Sequence, residues 1–109
     1  MALVKKWILE LEAAERARLA GNEGRARVCA RRAAGMAAQV FLTRHRVPTG
    51  GANFYNALLA LAQFPHLAPD LKTAVAHLTL RVGEDFSLPP DVNLIADART
   101  LCDALERMQ

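Results

Sequence analysis

Residues 21–46 read GNEGRARVCARRAAGMAAQVFLTRHR, and this stretch decides the fold. Gly21 and Asn22 both tolerate the left-handed backbone that ends a helix, so one element finishes here. Glu23 stands near the start of the next, where a negative charge complements the aligned peptide dipoles. A second helix is predicted from Gly24 to His45, rich in alanine, the strongest helix former. Arg44, His45 and Arg46 gather at its end, where the dipole favours cations. Pro48 and the pair Gly50-Gly51 then mark a loop.

On a wheel of 100° per residue, Cys29, Ala33, Met36, Ala37 and Val40 of this helix share one side, extended by Ala30 and Phe41. That side is expected against the core. Val28, Gly35 and Leu42 form a second line, with Arg25 and Arg32 along one edge and Arg27 and Arg31 along the other. A glycine inside a helix costs about 1 kcal/mol relative to alanine, a cost that close approach by another helix offsets. Two arrangements supply that approach. Either the helix meets its twin across a two-fold axis through Val28, Gly35 and Leu42, or helices of its own chain cover it on two sides.

Working outward, a first helix is predicted from Ala2 to Ala20. Val4, Ile8 and Leu11, with Trp7, Ala14 and Leu19, form its inner stripe, and Lys6, Glu10, Glu12 and Arg16 lie outside. Asn53 is the expected N-cap of a third helix, in which Phe54, Leu58 and Leu61 share a face and which Phe64-Pro65 ends. Pro69 suits the first turn of a fourth helix, with Leu71, Ala74, Val75, Leu78 and Val82 inward and Gly83 closing it. After a loop containing Pro89 and Pro90, Asp91 is expected to cap a fifth helix. Its inner face is Leu94, Ala98, Leu101 and Leu105, with Ile95 and Cys102 beside them. No strand periodicity persists beyond a few residues. The expectation is a single all-α domain over residues 1–109, an up-and-down helical bundle of about five helices.

A chain of 109 residues can bury roughly two-thirds of the surface it exposes when unfolded, enough for a core without staples. Its 52% hydrophobic content is inflated by alanine, which buries little area per residue. A thin core of this kind favours a homodimer. Cys29 and Cys102 match no zinc spacing and read as free thiols in a reduced, cytoplasmic compartment. The longest apolar run, Ala57 to Ala62, is far shorter than the roughly 18 residues of a membrane helix, so no membrane association is expected. Glu10 and Glu12 break the apolar stretch after Lys5 and Lys6, so no signal peptide forms there.

Charge is segregated along the chain. Residues 24–69 hold six arginines and no acid, and residues 70–109 hold four bases against seven acids. Arg25, Arg31, Arg32, Arg44, His45 and Arg46 are therefore the candidate anion or nucleic-acid site, arginine being a bidentate donor to phosphate. Against that reading, stacking aromatics are missing, since Phe41 faces the core. The alternative is internal pairing with Asp97, Asp103 and Glu106 of the fifth helix, or with a second subunit. No catalytic residue, metal site or cofactor is assigned. The three histidines lack helical ligand spacing, Ser87 has no histidine near it in sequence, and Gly50-Gly51 lacks the lysine and strand of a phosphate loop.

The run Gly21-Asn22-Glu23-Gly24-Arg25-Ala26-Arg27-Val28-Cys29-Ala30-Arg31-Arg32-Ala33-Ala34-Gly35 resembles the HEPN superfamily of small helical bundles: a first helix, a short Gly-Asn turn and a long alanine-rich second helix. The stretch Leu88-Pro89-Pro90-Asp91-Val92-Asn93-Leu94-Ile95-Ala96-Asp97-Ala98-Arg99 fits that family's closing helix. The resemblance implies a bundle of four to five helices, frequent dimerisation, and action on RNA or beside a nucleotidyltransferase partner. Nuclease members place an arginine a turn or so ahead of a histidine. Here His45 follows Arg44 and then nothing basic back to Arg32, and His66 and His77 have no arginine upstream nearer than Arg46. The expected function is thus a non-enzymatic, HEPN-like interaction module. An RNA-processing or toxin-like member and a nucleic-acid-binding regulator are the alternatives.

Overall fold

The computed structural model describes residues 6–48, 53–80 and 93–108, and in them the chain forms five helices. They are α1 (Lys6–Leu19), α2 (Glu23–Arg44), α3 (Phe54–Ala62), α4 (Pro69–Leu78) and α5 (Leu94–Arg107). No strand occurs among the described residues. The all-α bundle is as expected.

The turn from α1 to α2 is a Schellman closure followed at once by a cap. Gly21 takes φ +81°. Its N–H donates to the Arg18 carbonyl at 2.9 Å and that of Asn22 to the Ala17 carbonyl at 2.8 Å. Asn22 is not left-handed; its φ of −100° makes it the N-cap of α2, accepting from the Arg25 N–H at 3.1 Å. Two residues thus reverse the chain and satisfy both helix ends.

α2 is the hub, packing against α1, α3, α4 and α5. Its alanines let these neighbours come close: Ala26, Ala30, Ala33, Ala34, Ala37 and Ala38 are all buried, as are Cys29, Phe41 and Leu42. More of its circumference is covered than the predicted core side, and the cover comes from its own chain. The helix ends in a second Schellman closure with Arg46, at φ +58°, in the position glycine usually holds. Val47 N–H donates to Leu42 carbonyl at 2.9 Å, and Arg46 N–H to Thr43 carbonyl at 3.1 Å.

Asn53 caps α3 as predicted, accepting from the N–H groups of Tyr55 at 2.7 Å and Asn56 at 3.3 Å. Pro69 opens α4, and Leu71, Ala74, Val75 and Leu78 are its buried face. α4 stops at Leu78, short of the predicted Gly83, which with Val82 lies outside the described residues. The reason is chemical: Arg31 donates to the carbonyls of Leu78 (3.1 Å) and Leu80 (3.2 Å), and the Thr79 hydroxyl to that of Val75 (2.9 Å). These side chains close the helix end. The cap of α5 is Asn93, which accepts from the Ala96 N–H at 3.1 Å. Asp91 lies outside the described residues. The predicted inner face of α5 is buried throughout.

One inner stripe needs correction. α1 buries Trp7, Leu11, Ala14 and Ala17, whereas Ile8 and Leu19 point outward with Leu9. Glu10, expected outside, is half-buried and paired with Arg32.

Candidate functional site

The structure decides between the two arrangements proposed for the second line on α2, for two of its three residues. Gly35 and Leu42 are buried within the single chain, and only Val28, 50% exposed, reaches solvent. The close approach that Gly35 demands is made by α3. A Cβ built on Gly35 would lie 2.3 Å from the Cβ of Phe54 and 3.0 Å from its Cα. Gly35 and Leu42 are therefore not interface residues. An intramolecular helix crossing accounts for the glycine.

The six candidate cationic residues do not converge. α2 has 22 residues, so Arg25 at its start and Arg46 beyond its end stand about 30 Å apart at 1.5 Å per residue. Arg31 is engaged with the end of α4. Burial there lowers its pKa, and the nearby Arg27 adds to the effect, though a guanidinium stays charged at any ordinary pH. Arg32 bridges to Glu10 of α1 at 3.3 Å. His45 lies against Phe41, ring centroids 4.2 Å apart, and its Nδ1 is 2.9 Å from the Phe41 carbonyl. It donates there, since a carbonyl only accepts. Phe64 meets both rings edge-on. Arg25, Arg44 and Arg46 are exposed.

Internal pairing thus takes up Arg31 and Arg32, with partners other than those expected. Asp97 pairs instead with His77 at 2.9 Å, tying α5 to α4. Arg99 pairs with Glu15, tying α5 to α1. Arg18 clasps three elements, with Glu23 at 3.1 Å and the Asn93 side chain at 3.1 Å. Cys29 and Cys102 are buried and free. Burial, helped by the adjacent Asp103, pushes the Cys102 thiol up to about 12, and its sulfur sits 3.7 Å from the Ala33 carbonyl. Such a thiol is inert. Among the described residues no three His, Cys, Asp or Glu side chains cluster to hold a metal, and no helix is long and apolar enough to cross a membrane.

What sequence reasoning missed is the outer side of α1. α1 and α5 both rest on α2 but touch each other little, leaving shallow hollows between them. One, of about 410 Å³, is lined by Leu19, Ile95 and Arg99; the next, of about 390 Å³, by Trp7, Ile8, Glu12 and Asp103. Along this edge and outward from it Ile8 is 40% exposed, Leu9 54% and Leu19 88%. The signal was present: α1 carries large aliphatics on both sides of its wheel, and only one side can face α2.

The described residues define an all-α protein of five helices, with Ile8, Leu9 and Leu19 exposed on the outer side of α1. Comparison with protein-family models, curated proteins and solved structures finds no match to the chain.

Proposed function

We propose that the chain is a non-enzymatic, HEPN-like helical interaction module that works as a homodimer in the cytoplasm and docks a protein partner, of which a nucleotidyltransferase is the example the resemblance implies. The observation that carries this is the exposed side of α1, where Ile8, Leu9 and Leu19 all meet solvent beside Glu12 and Arg16. Single exposed aliphatics are ordinary; several on one helix face mark an interaction surface. The use of Arg31, Arg32, His77 and Asp97 as fasteners between helices supports the non-enzymatic reading, because it leaves them tied to the fold. Two free, buried thiols are in keeping with a reducing compartment.

The test has two parts. Solution mass measured against concentration should rise to that of a dimer, and single-stranded RNA incubated with the protein should stay intact. RNA cleavage that copurifies with the chain through every step would instead favour the RNA-processing or toxin-like reading.

The nucleic-acid-binding reading has one observation in its favour: Arg25, Arg44 and Arg46 are exposed in a segment, 24–69, that holds no acid. Retention on single-stranded RNA that falls steeply with salt supports it. Negligible retention at low and high salt alike removes it.

A further inference from the structure

The outward face of α1 is self-complementary under a two-fold rotation. At 100° per residue Leu9, Glu12, Arg16 and Leu19 fall on the side away from the buried Trp7, Leu11, Ala14 and Ala17. Glu12, Leu19 and the neighbouring Ile8 run along its edge toward α5, where they line the hollows. Their spacing of three, four and three residues is that of a coiled-coil seam. Glu12 and Arg16 are exposed, and the side chain of neither makes a hydrogen bond or ion pair among the described residues, although they stand one helical turn apart. Every other charged residue in α1 with a carboxylate is half-buried or paired, as Glu10 is with Arg32 and Glu15 with Arg99.

We infer that α1 is the homodimer interface and that a second copy of this chain covers it, the two α1 helices lying antiparallel about an axis at Ala14. In that register Leu9 faces Leu19 of the partner subunit and Glu12 faces Arg16 of the partner subunit, each pair occurring twice by symmetry. Isologous contacts of this kind are closed and do not propagate into fibres. A parallel pairing of the same face sets Glu12 against Glu12 and Arg16 against Arg16, so charge selects the antiparallel one. The aliphatic pairs at the two ends supply the apolar contact, and the central ion pairs set direction and register. The inference rests on the homodimer reading above and goes beyond it by naming surface, orientation and contacts. A single helix pair is at the small end of interfaces, so the dimer is weak and reversible.

Sedimentation equilibrium of the full chain, from about 1 µM to about 1 mM, spans affinities expected for such an interface. The parent should reach dimer mass. Glu12→Arg and Arg16→Glu should each weaken association at least tenfold, and the double variant carrying both changes should return to within about threefold of the parent, since the swap restores opposite charges. Leu19→Glu should abolish dimerisation. All these side chains are exposed, so unchanged helical circular dichroism and melting confirm that the fold is intact. A parent dimer indifferent to all four variants, or singles that weaken it without rescue in the double, overturns the α1 interface while leaving the homodimer reading standing. A parent that stays monomeric to the top concentration overturns both.

Discussion

Phe54 lies directly over Gly35: a methyl group added to the glycine would come within 2.3 Å of the Phe54 Cβ and 3.0 Å of its Cα. The second of these is backbone, so relief requires α3 to move. Gly35→Ala gains about 1 kcal/mol in helix propensity but overpacks the crossing, which costs typically 1–3 kcal/mol. The expected result is a net loss of up to about 2 kcal/mol in urea unfolding. Gly24→Ala is the control, since a Cβ there finds nothing nearer than 3.9 Å. It should stabilise. A stabilised Gly35→Ala variant would refute the crossing.

The Arg31 guanidinium does for α4 what a glycine turn does elsewhere, taking carbonyl oxygens that the helix end leaves open. Arg31→Met keeps much of the aliphatic stem and removes both donors, leaving the Leu78 carbonyl without its partner. An unsatisfied, partly buried acceptor costs about 1–3 kcal/mol. Arg31→Lys should recover only part of this, because an ammonium is a point donor and not a fork. Chemical denaturation of the three proteins orders them Arg, Lys, Met. Equal stability of all three would show that α4 is closed by other means.

These two residues also show what could be read in advance. Asn53, Pro69 and the stripe from Leu94 to Leu105 are local signals, each complete within a turn or two of chain, and they placed α3, α4 and the buried face of α5. Gly35 announced a close approach but not whose helix made it, because periodicity carries no information on which chain supplies the neighbour. The carbonyls that hold Arg31 lie 47 and 49 residues away in sequence and have no side-chain signature at all. α1 misled for a third reason. With aliphatics on both sides, its inner face is chosen by fit against the alanines of α2, where small Ala14 and Ala17 allow the helices to close.

Arg46 occupies a glycine position. Its φ of +58° is left-handed, which costs a residue with a Cβ roughly 1–2 kcal/mol. Against this stand the favourable interaction of a cation with the end of α2, about 0.3–1 kcal/mol, and the greater freedom of glycine in the unfolded chain. Arg46→Gly should therefore stabilise by about 0.5 kcal/mol, read as a melting temperature raised by a few degrees. A lower melting temperature would mean that the Arg46 side chain is worth more to the fold than its backbone strain costs.

Cys102 gives the fold a pH dependence whose direction is fixed by burial. The folded thiol is held up to about 12 from an ordinary value of 9.0, so the native state keeps its proton where the unfolded chain loses it. The contribution is whole below pH 9 and declines as pH rises toward 12, because deprotonation then draws the equilibrium to the unfolded side. Alkaline unfolding should consequently be shallower in Cys102→Ala than in the parent, measured as stability against pH from neutrality upward. The same burial makes the thiol unreactive: near neutral pH it keeps its proton, and the sulfur is shielded as well. An alkylating reagent should label Cys102 at the rate of unfolding and no faster, with full labelling once denaturant is added. Rapid labelling of the native protein at Cys102, located by peptide mapping, would show that α2 and α5 part far more readily than their packing implies.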